Sequence, residues 1–145
     1  MNWKAEATDK LRRYSAMRLA VINLPAEIKR LSLEAQSIRS ARTDGDVVVG
    51  GGSKREDALI NNLLHRKELE ETLKQVKLWL TTADRAMSVL SQEEQMILHH
   101  LLIYPRPHAM ELLCQELEQE QSTMYRKRDQ ALRHFTLAFY GISEI

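Results

Sequence analysis

The chain has 145 residues, of which 43% are hydrophobic and 28% charged, with a formal net charge of +1. This composition supports one ordinary core or two smaller units and excludes a strongly basic nucleic-acid coat. No apolar run approaches the ~20 residues of a membrane span, and the opening MNWKAEATDKLRRY has neither the apolar stretch nor the cleavage site of a secretion signal.

From Leu11 the apolar positions run Leu11, Tyr14, Met17, Val21, Leu24, Ile28, Leu31, Ala35 and Ile38, at alternating intervals of three and four. That stripe predicts one long helix with a heptad-like face. Pro25 lies inside it and predicts a kink or a restart near Asn23, because proline removes a hydrogen bond and crowds the preceding turn. A second stripe runs Leu69, Leu73, Val76, Leu80, Ala83, Met87 and Leu90, with Leu59 and Leu63 more loosely in front of it. The two arms have similar lengths, so the expectation is a long antiparallel helical hairpin over residues 1–90. Between the arms, TDGDVVVGGGSK predicts a flexible loop at about 42–54, as a short hairpin or without regular structure.

After Leu90, Ser91 and Glu94 stand three apart before the apolar run MILHHLLIY, which is the pattern of a capping box. Pro105 and Pro107 predict a tight corner, followed by a short helix over about His108 to Glu118 and a last helix from Ser122 to a C-cap at Gly141. No strand pattern of useful length occurs, and the expected fold class is all-α: the hairpin, then a small three-helix unit over 91–145.

Several chemical readings fail on spacing. VVVGGGSK does not hold the G-x-x-x-x-G-K-[ST] order of a phosphate loop. His65 and Glu68 share a helix face, but no second such pair completes a metal site. Cys114 lies on an apolar stripe with no base beside it, which reads as packing, and a single cysteine excludes an internal disulfide and fits a reduced compartment. No nucleophile, base and oxyanion site assemble. The expectation is a non-enzyme with no cofactor.

One charge pattern is informative. The stretch ELLCQELEQE holds four acids and no base, and QSTMYRKRDQAL, directly after it, places three bases in a row. Projected at 100° per residue, Met124, Ala131 and Phe135 share one side of the last helix, flanked by Ala138 and Phe139. Ser122, Arg126, Asp129 and Arg133 share the other. A short helix, a four-residue connection and such a helix form the arrangement of a helix-turn-helix, whose second helix enters the major groove N-terminus first. On that reading Gln121, Ser122 and Thr123 meet phosphate at the helix N-terminus and Tyr125 sits at the shoulder. Arg126 reads a guanine, Lys127 and Arg133 hold phosphates, and Asp129 lies on the same front. Arg128, close to the apolar side, is expected to snorkel or to pair with an acid. The simpler reading of the same pattern is an amphipathic helix whose bases are merely solvated.

The stretch LSQEEQMILHHLLIYPRPHAMELLCQELEQEQSTMYRKRDQALRHF resembles the region-4 helix-turn-helix of sigma-70 factors. The shared features are the L-S-x-x-E opening, the proline-marked corner, the supporting helix, then S-T-x-Y-R and A-L. The chain as a whole resembles phage and prophage late-gene transcription regulators of the ArpU/RinA type. The resemblance implies a cytoplasmic, sequence-specific regulator in a bacterial host. Its partners would be double-stranded DNA and RNA polymerase. The heptads of the hairpin separately suggest a homodimer, the other expectation being a monomer whose two arms satisfy each other. Two positions depart from the pattern: Glu118 stands where such turns often hold glycine, and Lys127 where the recognition helix often holds an aliphatic residue. The alternative expectation is a protein-interaction module that binds polymerase or a sigma or anti-sigma-like partner without reading DNA. The charge of residues 91–145, five Lys/Arg against eight Asp/Glu, favours it.

Overall fold

The computed structural model describes residues 2–41 and 51–142, with backbone alone for 51–53. The expectation for residues 42–50 of the connector lies outside these residues. The described chain is all-α: α1 (Trp3–Ser40), α2 (Gly51–Ser88), α3 (Gln92–Leu98), which continues as π-helical turns over His99–Ile103, then α4 (Ala109–Leu117) and α5 (Gln121–Tyr140). Among the described residues no helix is long and apolar enough to cross a membrane.

Both long helices form where the stripes predict them, with one difference at the start of α2. α1 runs through Pro25 without a break. α2 begins at Gly51, inside the glycine run assigned to the loop. Glycine is tolerable there because first-turn N–H groups have no intrahelical acceptor to lose.

The residues fall into two compact units, and the division is not at residue 90. One unit combines Met1–Arg18 with Leu78–Ile145, and the other is Leu19–Lys77. The first four turns of α1 and the end of α2 therefore belong with the C-terminal helices. The reason is aromatic. Within this unit Tyr14 meets Trp79 edge-on at 5.6 Å between ring centroids, Trp79 lies 6.3 Å from Phe139, and Trp3 lies 4.9 Å from Tyr140. Ala7 and Leu11 of α1 and Phe135 of α5 are fully buried. Such rings bring large apolar areas into one core, with favourable edge-to-face geometry at Tyr14 and Trp79. At its margin the Tyr14 hydroxyl donates to Asp84, and Arg18 donates to the same carboxylate at 2.6 Å.

The Leu19–Lys77 unit is an antiparallel helix pair. Leu31 and Ala35 of α1 are buried, and the pairing carries a buried polar residue, Asn62 at 6% exposure. Its Nδ2 donates to the Leu31 carbonyl at 2.8 Å, and its Oδ1 accepts from Arg66 Nε at 2.8 Å. A buried amide with both ends satisfied fixes one register, since a slip of the helices leaves it unpaired. Arg55 adds a bond to the Ala41 carbonyl at 3.1 Å.

At the entry to the C-terminal helices the capping box forms as expected. Ser91 Oγ accepts from the Glu94 N–H at 3.1 Å, and the Glu94 carboxylate accepts from the Ser91 N–H at 3.2 Å. α3 then widens into π turns, closed by the Tyr104 N–H donating to the His99 carbonyl at 2.8 Å. The wider turn sets His99 against Tyr104 at 5.0 Å and His100 at 5.2 Å between centroids. The proline corner follows. His108 at its end has φ 58°, a left-handed conformation that leads into α4.

Two outcomes are expected from this packing. Asn62→Ala loses about 2 kcal/mol in urea unfolding, from two lost hydrogen bonds and a small void; Asn61→Ala at the exposed neighbouring position leaves stability unchanged. Desolvation, then the neighbouring His100, holds the His99 pKa below its usual 6.5, so the folded state favours the neutral ring. Stability is therefore retained above pH ~6.5 and falls as the pH drops below it. Thermal melts at pH 7.5 and 5.5 should show a smaller difference for His99→Gln than for the parent protein.

Candidate nucleic-acid interface

The back of α5 decides its front. Met124, Ala131, Leu132, Phe135 and Thr136 are buried, Met124 closing a small core with Ile97 and Leu113. Leu101, Met110, Cys114 and Leu117 pack around that core, so the lone cysteine is part of the packing. Of the residues expected to flank the buried face, Phe139 is half-buried, but Ala138 is exposed and Leu132 and Thr136 take the inner positions. Thr136 is tolerated inside because its hydroxyl donates to the Leu132 carbonyl at 2.6 Å.

α4 ends in a turn that aims α5. Glu118 is left-handed, with φ 51° and ψ 47°. The Gln119 N–H donates to the Cys114 carbonyl at 3.0 Å and the Glu118 N–H to the Gln115 carbonyl at 3.4 Å. This pair of bonds is a Schellman motif, built on a glutamate where glycine is the low-cost residue. α5 starts at Gln121, one residue earlier than expected. Its N-cap, Glu120, is extended, and no side chain caps the helix. Its first-turn N–H groups thus keep the free donors that an oxyanion needs.

The sequence-derived candidates separate into two groups. Gln121, Ser122, Tyr125, Arg126 and Arg133 are exposed, and Thr123 is half-buried beside them. Arg126 makes no hydrogen bond or ion pair to any described residue, so its guanidinium is available as it stands. Arg133 Nε donates to Asp129 at 3.1 Å. Asp129 also pairs with Lys4 of α1, which makes it an anchor between α5 and the N-terminal turns. Lys127 is paired with Glu93 of α3 and is less than one-third exposed. Its ammonium therefore braces α5 against α3, and His134 makes a parallel contact with Glu94. The central part of the exposed front is Ser122, Arg126, Gln130 and Arg133.

Gln130 is exposed on this front and belongs with the candidates. Its signal was present in the helical projection, where it falls 40° from Arg126. Arg128 is half-buried, as its place near the apolar side implies, but it pairs with no acid among the described residues, and its Nε is shielded from solvent and without a hydrogen-bond partner.

Comparison with known proteins finds no matching family model, no matching curated protein and no matching solved structure.

Replacing Glu118 by glycine relieves the left-handed strain and should raise stability by about 1 kcal/mol, seen as a melting-temperature rise of roughly 2–4 °C. Glu118→Ala keeps a Cβ in the same conformation and should show no such gain.

Proposed function

We propose that the chain is a DNA-binding transcription regulator whose α4 and α5 act as a helix-turn-helix, with α5 lying in the major groove. The observation that carries this reading is Arg126, exposed and unpaired on the first turns of a helix whose back is fully buried. A planar guanidinium so placed can reach guanine O6 and N7 with two parallel hydrogen bonds. Gln130, one turn further, offers an amide suited to adenine. Around them the uncapped N–H groups of α5, the Ser122 and Thr123 hydroxyls, Tyr125 and Arg133 supply phosphate contacts, which hold the helix in register. Lys127 contributes support from within the fold through Glu93.

The resemblance to sigma-70 region 4 and to ArpU/RinA-type regulators supports a role at phage or prophage late promoters, with RNA polymerase as a partner. Self-association is part of the same reading. Leu19, Ile22, Leu33, Ile60 and Leu64 of the helix pair are each more than half exposed, as suits a pairing between copies. Two reading heads would then require two half-sites.

One observation favours the alternative, a module that binds polymerase or a sigma-like partner without reading DNA. Glu93 and Glu94 of α3, Glu116 of α4 and Glu118 and Glu120 of the turn add negative charge to this unit, and Glu93 and Glu94 already occupy Lys127 and His134. The deciding measurement is binding to the native upstream duplex and to random duplex across a salt series. On the DNA reading the native duplex is preferred, and Arg126→Ala lowers that preference by about 1–3 kcal/mol. Absence of preference together with a flat salt dependence would falsify it in favour of the interaction module.

A further inference from the structure

A cavity of about 400 Å³ lies between the first three turns of α1 and the first half of α5, within the unit that holds the helix-turn-helix. Its walls include Asn2, Lys4, Arg12, Tyr125, Arg128 and Asp129. Its polar groups are unevenly matched. The two acids of its lining are already neutralised: Asp129 by Lys4 and Arg133, and Asp9 by Arg13. Thr8 turns its hydroxyl to the Lys4 carbonyl at 2.8 Å, and Asn2 Oδ1 accepts from the Ala5 N–H at 3.1 Å.

Two cations are left over. Arg12 is exposed and makes no hydrogen bond or ion pair with any described residue. Arg128 has its Nε withdrawn from solvent with nothing to donate to. Its Nε is closed off from any ligand, so the terminal N–H groups of Arg128, which bond to no described residue, are the donors it can present to a bound oxyanion. The positive end of α1 adds to the same field, because Lys4 and Ala5 of its first turn form one wall.

The geometry points to a phosphate-binding site in this cavity, with Arg12 and Arg128 as its cationic arms and the Tyr125 hydroxyl as an additional donor. Guanidinium pairs suit a tetrahedral oxyanion because each can present two N–H groups to two oxygens. The phosphate belongs either to the backbone of bound duplex DNA, reached past Tyr125 from the front of α5, or to a free phosphorylated small molecule. The site is inferred from the cavity and its unbalanced charge, independently of base reading by Arg126. It draws α1, outside the helix-turn-helix, into ligand binding.

The test titrates the intact chain with inorganic phosphate at fixed ionic strength, chloride being the counter-titration, while the arginine Nε–Hε resonances are followed by NMR. Arg12→Gln is the informative variant, since Arg12 is exposed and makes no hydrogen bond or ion pair with any described residue; Arg39→Gln, on an exposed position of the other unit, is the control. The expected result is saturable movement of the Arg12 and Arg128 signals with phosphate and not with chloride. Affinity should fall about tenfold in Arg12→Gln and stay unchanged in Arg39→Gln. A phosphate response equal to that of chloride, or one unaltered by Arg12→Gln, overturns the site. A parallel titration with random duplex DNA separates the sources. A salt slope reduced by about one in Arg12→Gln assigns the phosphate to the DNA backbone. Weakened phosphate binding with unchanged duplex binding assigns it to a free phosphate ester. Loss of sequence preference for DNA in the parent protein would remove the regulator reading and leave the phosphate titration fully interpretable.

Discussion

The buried back of α5 is the constraint on which the rest of the C-terminal unit depends. Phe135, Met124, Ala131 and Leu132 are buried on the face of a helix that packs against α3 and α4, while Tyr140 near its end meets Trp3 of α1. Once that face is fixed, rotation of α5 by even one residue would expose Phe135 and bury Arg126, at a cost of several kcal/mol for the ring alone. The side chains available to a ligand follow from that fixed rotation. Arg126 and Gln130 face out for the same reason that Phe135 faces in.

Charge is distributed in support of this arrangement. Acids on α3 meet Lys127 and His134 on one flank of α5, while Lys4 meets Asp129 on the other. Such partly exposed pairs add little to stability individually. Their effect is on availability: they engage the bases at the edges of α5 and leave Arg126 free between them. A helix with three consecutive bases thus offers one unpaired, outward guanidinium, one ammonium in use, and one guanidinium turned toward a cavity.

The left-handed Glu118 shows how position outranks propensity in the turn. The backbone bonds from Gln119 and Glu118 to the end of α4 require that conformation, and the motif forms although a glutamate must occupy it. The strain is of the order of 1 kcal/mol. The core of Ile97, Leu113 and Met124 across α3, α4 and α5 is large enough to impose it.

The sequence by itself determined the helices and their faces. Heptad spacing located α1 and α2, Ser91 with Glu94 located the start of α3, and Gly141 the end of α5. Each of these signals is local, set by contacts within a few residues of chain. It also separated the buried from the exposed side of α5, apart from Ala138, Leu132 and Thr136, which a nominal 100° step places too far from the centre of the face to assign. What only the tertiary structure decided is which long-range partners those faces meet. Asp129 and Lys4 are 125 residues apart, and Lys127 and Glu93 are 34 apart. Periodicity carries no information about contacts at such separations. The same limit hid the inclusion of the N-terminal turns of α1 in the C-terminal unit, because the rings that join them, Trp3 with Tyr140 and Tyr14 with Trp79, lie at distant places in the chain and become neighbours only when the helices pack.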